Sequence, residues 1–201
     1  MSAQKVAVVT GASSGIGFAA SLHLARAGFH VFVGSRRVER LETLCARIAS
    51  EGFSATPHEL DVTNDASVAA FCGIVPMSCS LLVNNAGLAI GRQSIVESEV
   101  AGFQLMSVFC TPHFLNFARS LCFSNCSVFR YDTNVLGGLR MTKALIPKLI
   151  ASGDGHIINI ISIAGSEVYD NGAGAAVSRF LTQNSPFSRI HEQQACPACA
   201  Q

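Results

Sequence analysis

Apolar residues along the chain fall into two alternating patterns, short unbroken runs and longer segments with helical spacing. Val6-Ala7-Val8-Val9 has no polar break, as expected of a parallel strand covered on both faces. From Ile16 the apolar positions recur at Ala20, Leu24 and Ala27, with Gly28 as a stop, which predicts a helix whose core-facing row is that set. The run His30-Val31-Phe32-Val33-Gly34 predicts a second strand, and residues 38–51 an amphipathic helix with Val38, Leu41, Leu44, Cys45 and Ile48 on one face. A third strand is expected over 54–60, and a helix from Asp65, capped by Thr63 or Asn64. The stretch from Cys72 to Ser80 does not continue that helical pattern, and Leu81-Leu82-Val83-Asn84 reads as a fourth strand. A long helix follows from Asn134 to about Ile150, with Val135, Leu139, Ile146, Leu149 and Ile150 at core spacing and Pro147 placed to kink it. Asp154-Gly155 then turns the chain into a fifth strand over 156–161. Strands alternating with helices predict a doubly wound parallel sheet in the order 3-2-1-4-5.

Between the first strand and the first helix lies Thr10-Gly11-Ala12-Ser13-Ser14-Gly15-Ile16-Gly17. A glycine-rich loop joining a strand's carboxyl end to a helix amino end is a phosphate cradle, because free N–H groups and the helix dipole favour an anion there. At the end of the second strand stand Ser35, Arg36 and Arg37 and no acid. An acid at this place suits a ribose 2′-hydroxyl and an arginine suits a 2′-phosphate, so the position favours NADP(H), with Arg36 the nearer candidate and Arg37 the second.

Three further motifs follow in order: Asn84-Asn85-Ala86-Gly87, Asp132-Thr133-Asn134-Val135 and Ile158-Asn159-Ile160-Ile161-Ser162-Ile163-Ala164-Gly165. With the Gly-x-x-x-Gly-x-Gly loop they make the chain resemble the short-chain dehydrogenase/reductase family. The resemblance implies a three-layer α/β, Rossmann-like fold, here without the last strands, and hydride transfer between a nicotinamide and a carbonyl or alcohol carbon. It implies that Gly11, Ser13, Ser14, Gly15, Ile16 and Gly17 hold the pyrophosphate end of the cofactor, that Asp61 and Val62 meet the adenine, and that Asn85, Ala86 and Gly87 pass close to the nicotinamide ribose. It also implies that Ser162 bonds the substrate oxygen and that Asn134 positions a water for proton relay. The family's tyrosine and its lysine four residues later do not appear: Gly172-Ala173-Gly174 leads into Ala175 and Arg179 at those places. Tyr169 and Tyr131 are out of register with that pair.

Composition narrows the partners. A formal net charge of +1 does not suit a polyanion, so no nucleic-acid partner is expected. The first residues lead into a strand with no apolar leader, which predicts a cytoplasmic protein, and its eight cysteines are then expected to be free thiols. Cys196-Pro-Ala-Cys199 has metal-knuckle spacing without a second suitable pair, so no metal is expected. Residues 101–129 carry six of the thirteen phenylalanines, three cysteines and Arg119 as their single charge, and polar interruptions exclude a membrane span. They read as an insertion in the family pattern: a substrate lid, a membrane-associating insert or translated non-coding sequence.

The expected organisation is an NADP-binding domain over residues 1–180, interrupted by 101–129, and an irregular tail over 181–201. The expected function is NADP(H)-dependent carbonyl reduction or alcohol oxidation on an unidentified small molecule, in a family that tends to homo-oligomers. Two other readings stay open, a catalytically silent dinucleotide-binding protein and a misspliced, non-functional product.

Overall fold

The computed structural model describes residues 4–87 and 132–161. Residues 4–86 and 137–160 belong to one compact unit, and Gly87, residues 132–136 and Ile161 to a second. The insertion at 101–129, Tyr131, Ser162, Tyr169, Ala175, Arg179 and the tail lie outside the described residues.

In the first unit the elements are β1 (Val6–Thr10), α1 (Gly15–Arg26), β2 (His30–Ser35), α2 (Val38–Ser50), β3 (Ala55–Glu59), α3 (Asp65–Ile74), β4 (Cys79–Asn84), α4 (Gly137–Ala151) and β5 (His156–Asn159). All four strand pairings are parallel, in the order β3-β2-β1-β4-β5. This Rossmann-like sheet matches the order expected from the alternation of runs and periodic segments. β1 sits at its centre with every residue buried, which is why its sequence is unbroken in apolar character.

Each sheet face has its own core. On one, Val8, Phe32 and Leu82 meet Val68 and Phe71 of α3 and Met141, Leu145 and Leu149 of α4. On the other, Val9, Val33 and Val83 meet Leu22 and Ala25 of α1 and Leu41, Leu44 and Ile48 of α2. Leu41, Leu44 and Ile48 are the row that helical periodicity marks in α2.

Two helices bury a face that overlaps the expected one only in part: Leu24 packs half-buried and Leu149 is buried as expected, while other expected positions turn outward. In α1 the buried residues are Gly17, Ser21, Leu22 and Ala25, while Ile16 is 62% exposed and Ala27 is exposed. Small side chains set this face: a Cβ on Gly17 would stand 2.6 Å from the Gly11 carbonyl oxygen, so the helix can approach the loop only along its glycine. Ser21 fits the buried face by donating its hydroxyl to the Gly17 carbonyl at 2.8 Å. In α4 the buried row is Gly137, Met141, Thr142, Leu145 and Leu149, and Ile150 is 63% exposed. The helix continues through Pro147 to Ala151.

The unpatterned stretch after Phe71 also resolves. α3 runs on to Ile74, and two successive turns close it, Val75 N–H to Cys72 O and Cys79 N–H to Pro76 O. Lys148 of α4 donates its ammonium to the carbonyls of Cys72 and Val75, satisfying groups that a helix end leaves open. β4 therefore starts at Cys79, two residues before the apolar run.

On β3, Ser54 O accepts from Val31 and Leu60 N–H donates to Ser35 O. Backbone groups alternate sides along a strand, so Ala55, Pro57 and Glu59 turn theirs outward, away from β2. Proline, which has no N–H, is confined to such edge positions.

Candidate active site

The carboxyl ends of β1, β2 and β4 meet at the glycine loop. Gly11 N–H and Ala12 N–H both reach the Gly34 carbonyl of β2, at 2.8 and 3.3 Å, which fastens the loop to the neighbouring strand. From the other side Asn85 donates its side-chain amide to the carbonyls of Thr10 and Gly11, at 2.9 and 3.2 Å. Thr10 answers: its buried hydroxyl accepts from the N–H groups of Asn85 and Ala86, at 3.0 and 2.9 Å, and donates to the Val83 carbonyl at 3.4 Å. One donor and two lone pairs are all a hydroxyl has, and all are used.

The three loop glycines have different reasons to be glycine. A Cβ on Gly11 would stand 2.8 Å from the Ala86 Cα, and one on Gly17 would stand 2.4 Å from the Asn85 amide nitrogen. Gly15 has a φ of +60° and meets nothing within 4 Å, so its backbone opens outward. Just there α1 begins, with Ser14 as its extended N-cap residue, and the N–H groups of a first helical turn have no acceptor within the helix. A cradle that is closed from behind and open in front fits a pyrophosphate.

Arg37 reaches this loop from the turn between β2 and α2. Its guanidinium donates to the hydroxyls of Ser13 and Ser14, at 2.8 and 3.1 Å, and its backbone N–H is held by the Ser35 hydroxyl at 3.2 Å. Arg36 is exposed beside it. The structure thus brings together Gly11, Ser13, Ser14, Gly15, Gly17, Arg37, Asn85 and Ala86.

Asp61 and Val62 follow the end of β3. One Asp61 carboxylate oxygen accepts from the Thr63 N–H and hydroxyl, at 3.0 and 2.8 Å, so that oxygen shapes the turn. Asn64, rather than Thr63, caps α3 through Ala66 and Ser67. Val62 is buried in the core and its carbonyl accepts from Arg140 at 3.4 Å. Asn134 is buried in the π-helical turn Asp132–Leu136 that precedes α4 in the chain, and with Gly87 it belongs to the second unit.

Periodicity and motif spacing gave no role to Thr10 or to a polar cluster at the ends of β4 and β5. There the Asn84 side-chain amide donates to Thr142 of α4 and Asn159 of β5, at 3.1 and 3.0 Å. In the sequence Thr10 and Asn84 show only as the polar residues that open their motifs at the end of an apolar strand, and Asn159 as a polar member of its own.

Family comparison agrees with this geometry, since a model described as short chain dehydrogenase matches residues 5–180. The chain belongs to the short-chain dehydrogenase family. It is 41% identical over 176 residues to an uncharacterized oxidoreductase of Mycobacterium tuberculosis, covering 88% of this chain and 58% of that protein. It is 31% identical over 184 residues to the NADP-dependent 3-hydroxy acid dehydrogenase of Escherichia coli, covering 90% of this chain and 63% of that one. The chain thus spans less than two thirds of the length of these relatives. Among solved structures it resembles an alcohol dehydrogenase from the archaeon Thermococcus sibiricus, complexed with 5-hydroxy-NADP, with a TM-score of 0.76 and 26% identity over 94% of this chain and 72% of that one. A short-chain dehydrogenase from Burkholderia phymatum, in complex with NAD, shares the fold at a TM-score of 0.76 and 22% identity over 94% of this chain and 60% of that one.

Among the described residues no helix is long and apolar enough to cross a membrane, and no group of histidines, cysteines and carboxylates is arranged to hold a metal. Cys45, Cys72 and Cys79 are free thiols.

Proposed function

We propose that this chain binds NADP(H) at the carboxyl edge of its sheet and acts in the reduction of a small-molecule carbonyl or the reverse oxidation of an alcohol. The observation that carries this reading is the Arg37 guanidinium resting on Ser13 and Ser14, with Arg36 beside it and no acid at the end of β2. Two cations at the ribose end of a phosphate cradle suit a 2′-phosphate. The names of the Escherichia coli relative and the Thermococcus structure, both of which specify NADP, support it.

In this reading residues 1–180 form the cofactor domain and residues 181–201 lie outside it, in a cytoplasmic protein that shares the family's tendency to homo-oligomers. Gly11, Gly15, Ile16 and Gly17 hold the pyrophosphate by backbone N–H groups. Arg36 and Arg37 hold the 2′-phosphate, Asp61 and Val62 border the adenine, and Asn85, Ala86 and Gly87 border the nicotinamide ribose. The nicotinamide supplies or accepts the hydride when it is bound. Ser162 bonds the substrate oxygen, and Asn134 holds a water for proton relay.

Ala175 and Arg179 favour a second reading, a dinucleotide-binding protein without turnover. Ala175 has no group to move a proton, and general acid catalysis is worth roughly 10²–10⁴-fold. Titrating the purified chain with NADPH and NADH, followed by NADPH oxidation against a panel of carbonyl compounds, tests both. Tighter binding of NADPH supports the cofactor assignment and equal affinity overturns it; NADPH binding without turnover selects the second reading.

A further inference from the structure

At the opposite edge of the sheet from the glycine loop lies a cavity of about 170 Å³ lined by Lys5, Phe29, Ser80, Leu81, Asp154 and His156. These residues come from the segments just before β1 and β2, the start of β4 and the turn into β5, all within the first compact unit. The inner wall is apolar: Leu81 is buried and Phe29 packs against the same core cluster. Ser80, also buried, spends its proton on the Val6 carbonyl at 3.2 Å.

The mouth is charged. Lys5 Nζ lies 3.1 Å from Asp154 Oδ2, with the two side chains 61% and 57% exposed. His156 Nδ1 lies 3.0 Å from the Asp154 carbonyl oxygen, which braces the turn. The hydrogen bond and charge of Lys5 hold the Asp154 carboxyl below its ordinary range, and the mouth presents an ammonium and a carboxylate side by side. A simple anion brought to Lys5 would be repelled by Asp154, and a simple cation brought to Asp154 would be repelled by Lys5. A molecule carrying both charges a few bonds apart matches both. Exchanging the existing pair costs little, because exposed ion pairs are worth about 0–1 kcal/mol.

We propose that this cavity binds a free α-amino acid with an apolar side chain, its carboxylate at Lys5, its ammonium at Asp154 and its side chain against Phe29 and Leu81. The volume sets the size class: drug-sized pockets run to roughly 300–1,000 Å³, and this one holds a much smaller molecule. The site shares no residue with the glycine loop, so it stands independently of the cofactor reading.

The test is a titration of the full chain with L-leucine, followed through the backbone amide and His156 ring resonances. Beside it run 4-methylpentanoate and 3-methylbutylamine, which keep the hydrocarbon and one charge each. Saturable binding of leucine is expected at a dissociation constant of about 1 mM. Each single-charge analogue, and leucine with Lys5→Met or Asp154→Asn, should bind about tenfold more weakly, the loss of one charged hydrogen bond. The analogues need no variant, so a folding defect cannot imitate the result. Shifts that rise linearly without saturation, analogues that bind as tightly as leucine, or an affinity unchanged by Asp154→Asn would each overturn the proposal.

Discussion

The Asn85 amide nitrogen occupies the space where a side chain on Gly17 would begin, 2.4 Å from an added Cβ. That nitrogen is held by the carbonyls of Thr10, at the end of β1, and Gly11, at the start of the loop, so it cannot swing aside without giving up both bonds. The glycine loop is thereby shaped from behind by the residue that follows β4. Order in the loop is established when the protein folds, and a ligand entering a preorganised site does not bear the cost of ordering it.

Gly17→Ala should accordingly lower stability by about 1–3 kcal/mol through overpacking and weaken NADPH binding as well. Gly15→Ala meets no neighbour, so its cost should be confined to the left-handed backbone, roughly 1–2 kcal/mol. Urea denaturation of the two variants, read beside NADPH fluorescence titration, checks this; a Gly17→Ala protein as stable as the parent would contradict the packing.

Thr10→Val removes the acceptor for two N–H groups while keeping the side chain's shape. A buried donor left without a partner costs about 1–3 kcal/mol, so Thr10→Val should unfold at clearly lower urea and Thr10→Ser should stay near the parent. Equal destabilisation by both changes would point to packing of the methyl group instead of the hydroxyl.

Arg37→Ala should weaken NADPH binding by about ten- to a hundredfold, the worth of a charged hydrogen bond of roughly 1.5–3 kcal/mol, and leave NADH nearly unchanged. Ser13→Ala tests the support beneath it: losing a guanidinium partner at 2.8 Å should reduce NADPH affinity by a smaller factor. Loss of NADPH and NADH affinity together would mean that Arg37 braces the loop and does not select the phosphate.

His30 makes stability depend on pH. Its ring lies between the Ser54 and Thr56 hydroxyls, at 2.8 and 2.9 Å, and burial lowers its pKa from the ordinary 6.5. The unfolded chain therefore takes up this proton more readily than the folded one. The contribution is fully present above the unfolded value of 6.5 and is lost as pH falls below it. Melting temperatures measured from pH 8 to pH 5 should fall at the acid end, and His30→Gln should flatten that fall. A slope unaltered by the substitution would assign it to other groups.

Thiol labelling reports on the end of α3. Burial pushes the Cys45 and Cys72 thiols up to about 11, and the Cys79 thiol is also raised. At pH 8 few are thiolate, so a disulfide reagent should react slowly with all three in the folded chain and quickly in denaturant. Lys148→Met, which removes the clasp on Cys72 and Val75, should accelerate Cys72 and Cys79 while sparing Cys45, as read by peptide mass mapping. Uniform acceleration would indicate global unfolding.

The centre of the sheet was legible because β1 and β2 are buried on both faces and so leave unbroken apolar runs. The α2 face was legible for a similar reason: Leu41, Leu44 and Ile48 are large, and only one side of the helix carries such residues. The α1 face was not, because close approach to the loop selects Gly17 and Ser21, which hydropathy ranks below Ile16. In α4 the buried row includes Gly137 and Thr142, which carry little apolar signal. The end of α3 escaped notice because its cap is Lys148, far along the chain. At the candidate site, glycines, serines and arginines are visible as a motif, but their division of labour is not. Gly11 and Gly17 yield to internal neighbours and Gly15 to open space, a distinction that depends on Asn85 and Ala86. Likewise the spacing ranks Arg36 before Arg37, and only the fold shows which one reaches Ser13 and Ser14.

Pro57 has a bearing on how copies of this chain meet one another. An incoming strand laid along the outer side of β3 would look for donors at Ala55, Pro57 and Glu59, finding a ring in the middle position and a carboxylate beside the last. With no continuous ladder on offer, that side of the sheet resists being extended by a foreign strand, a device that folded proteins use against edge-to-edge aggregation. Pro57→Val would complete the row of donors and should turn a quiet boundary into an adhesive one, visible as concentration-dependent light scattering with the internal pairing of β2 and β3 left intact.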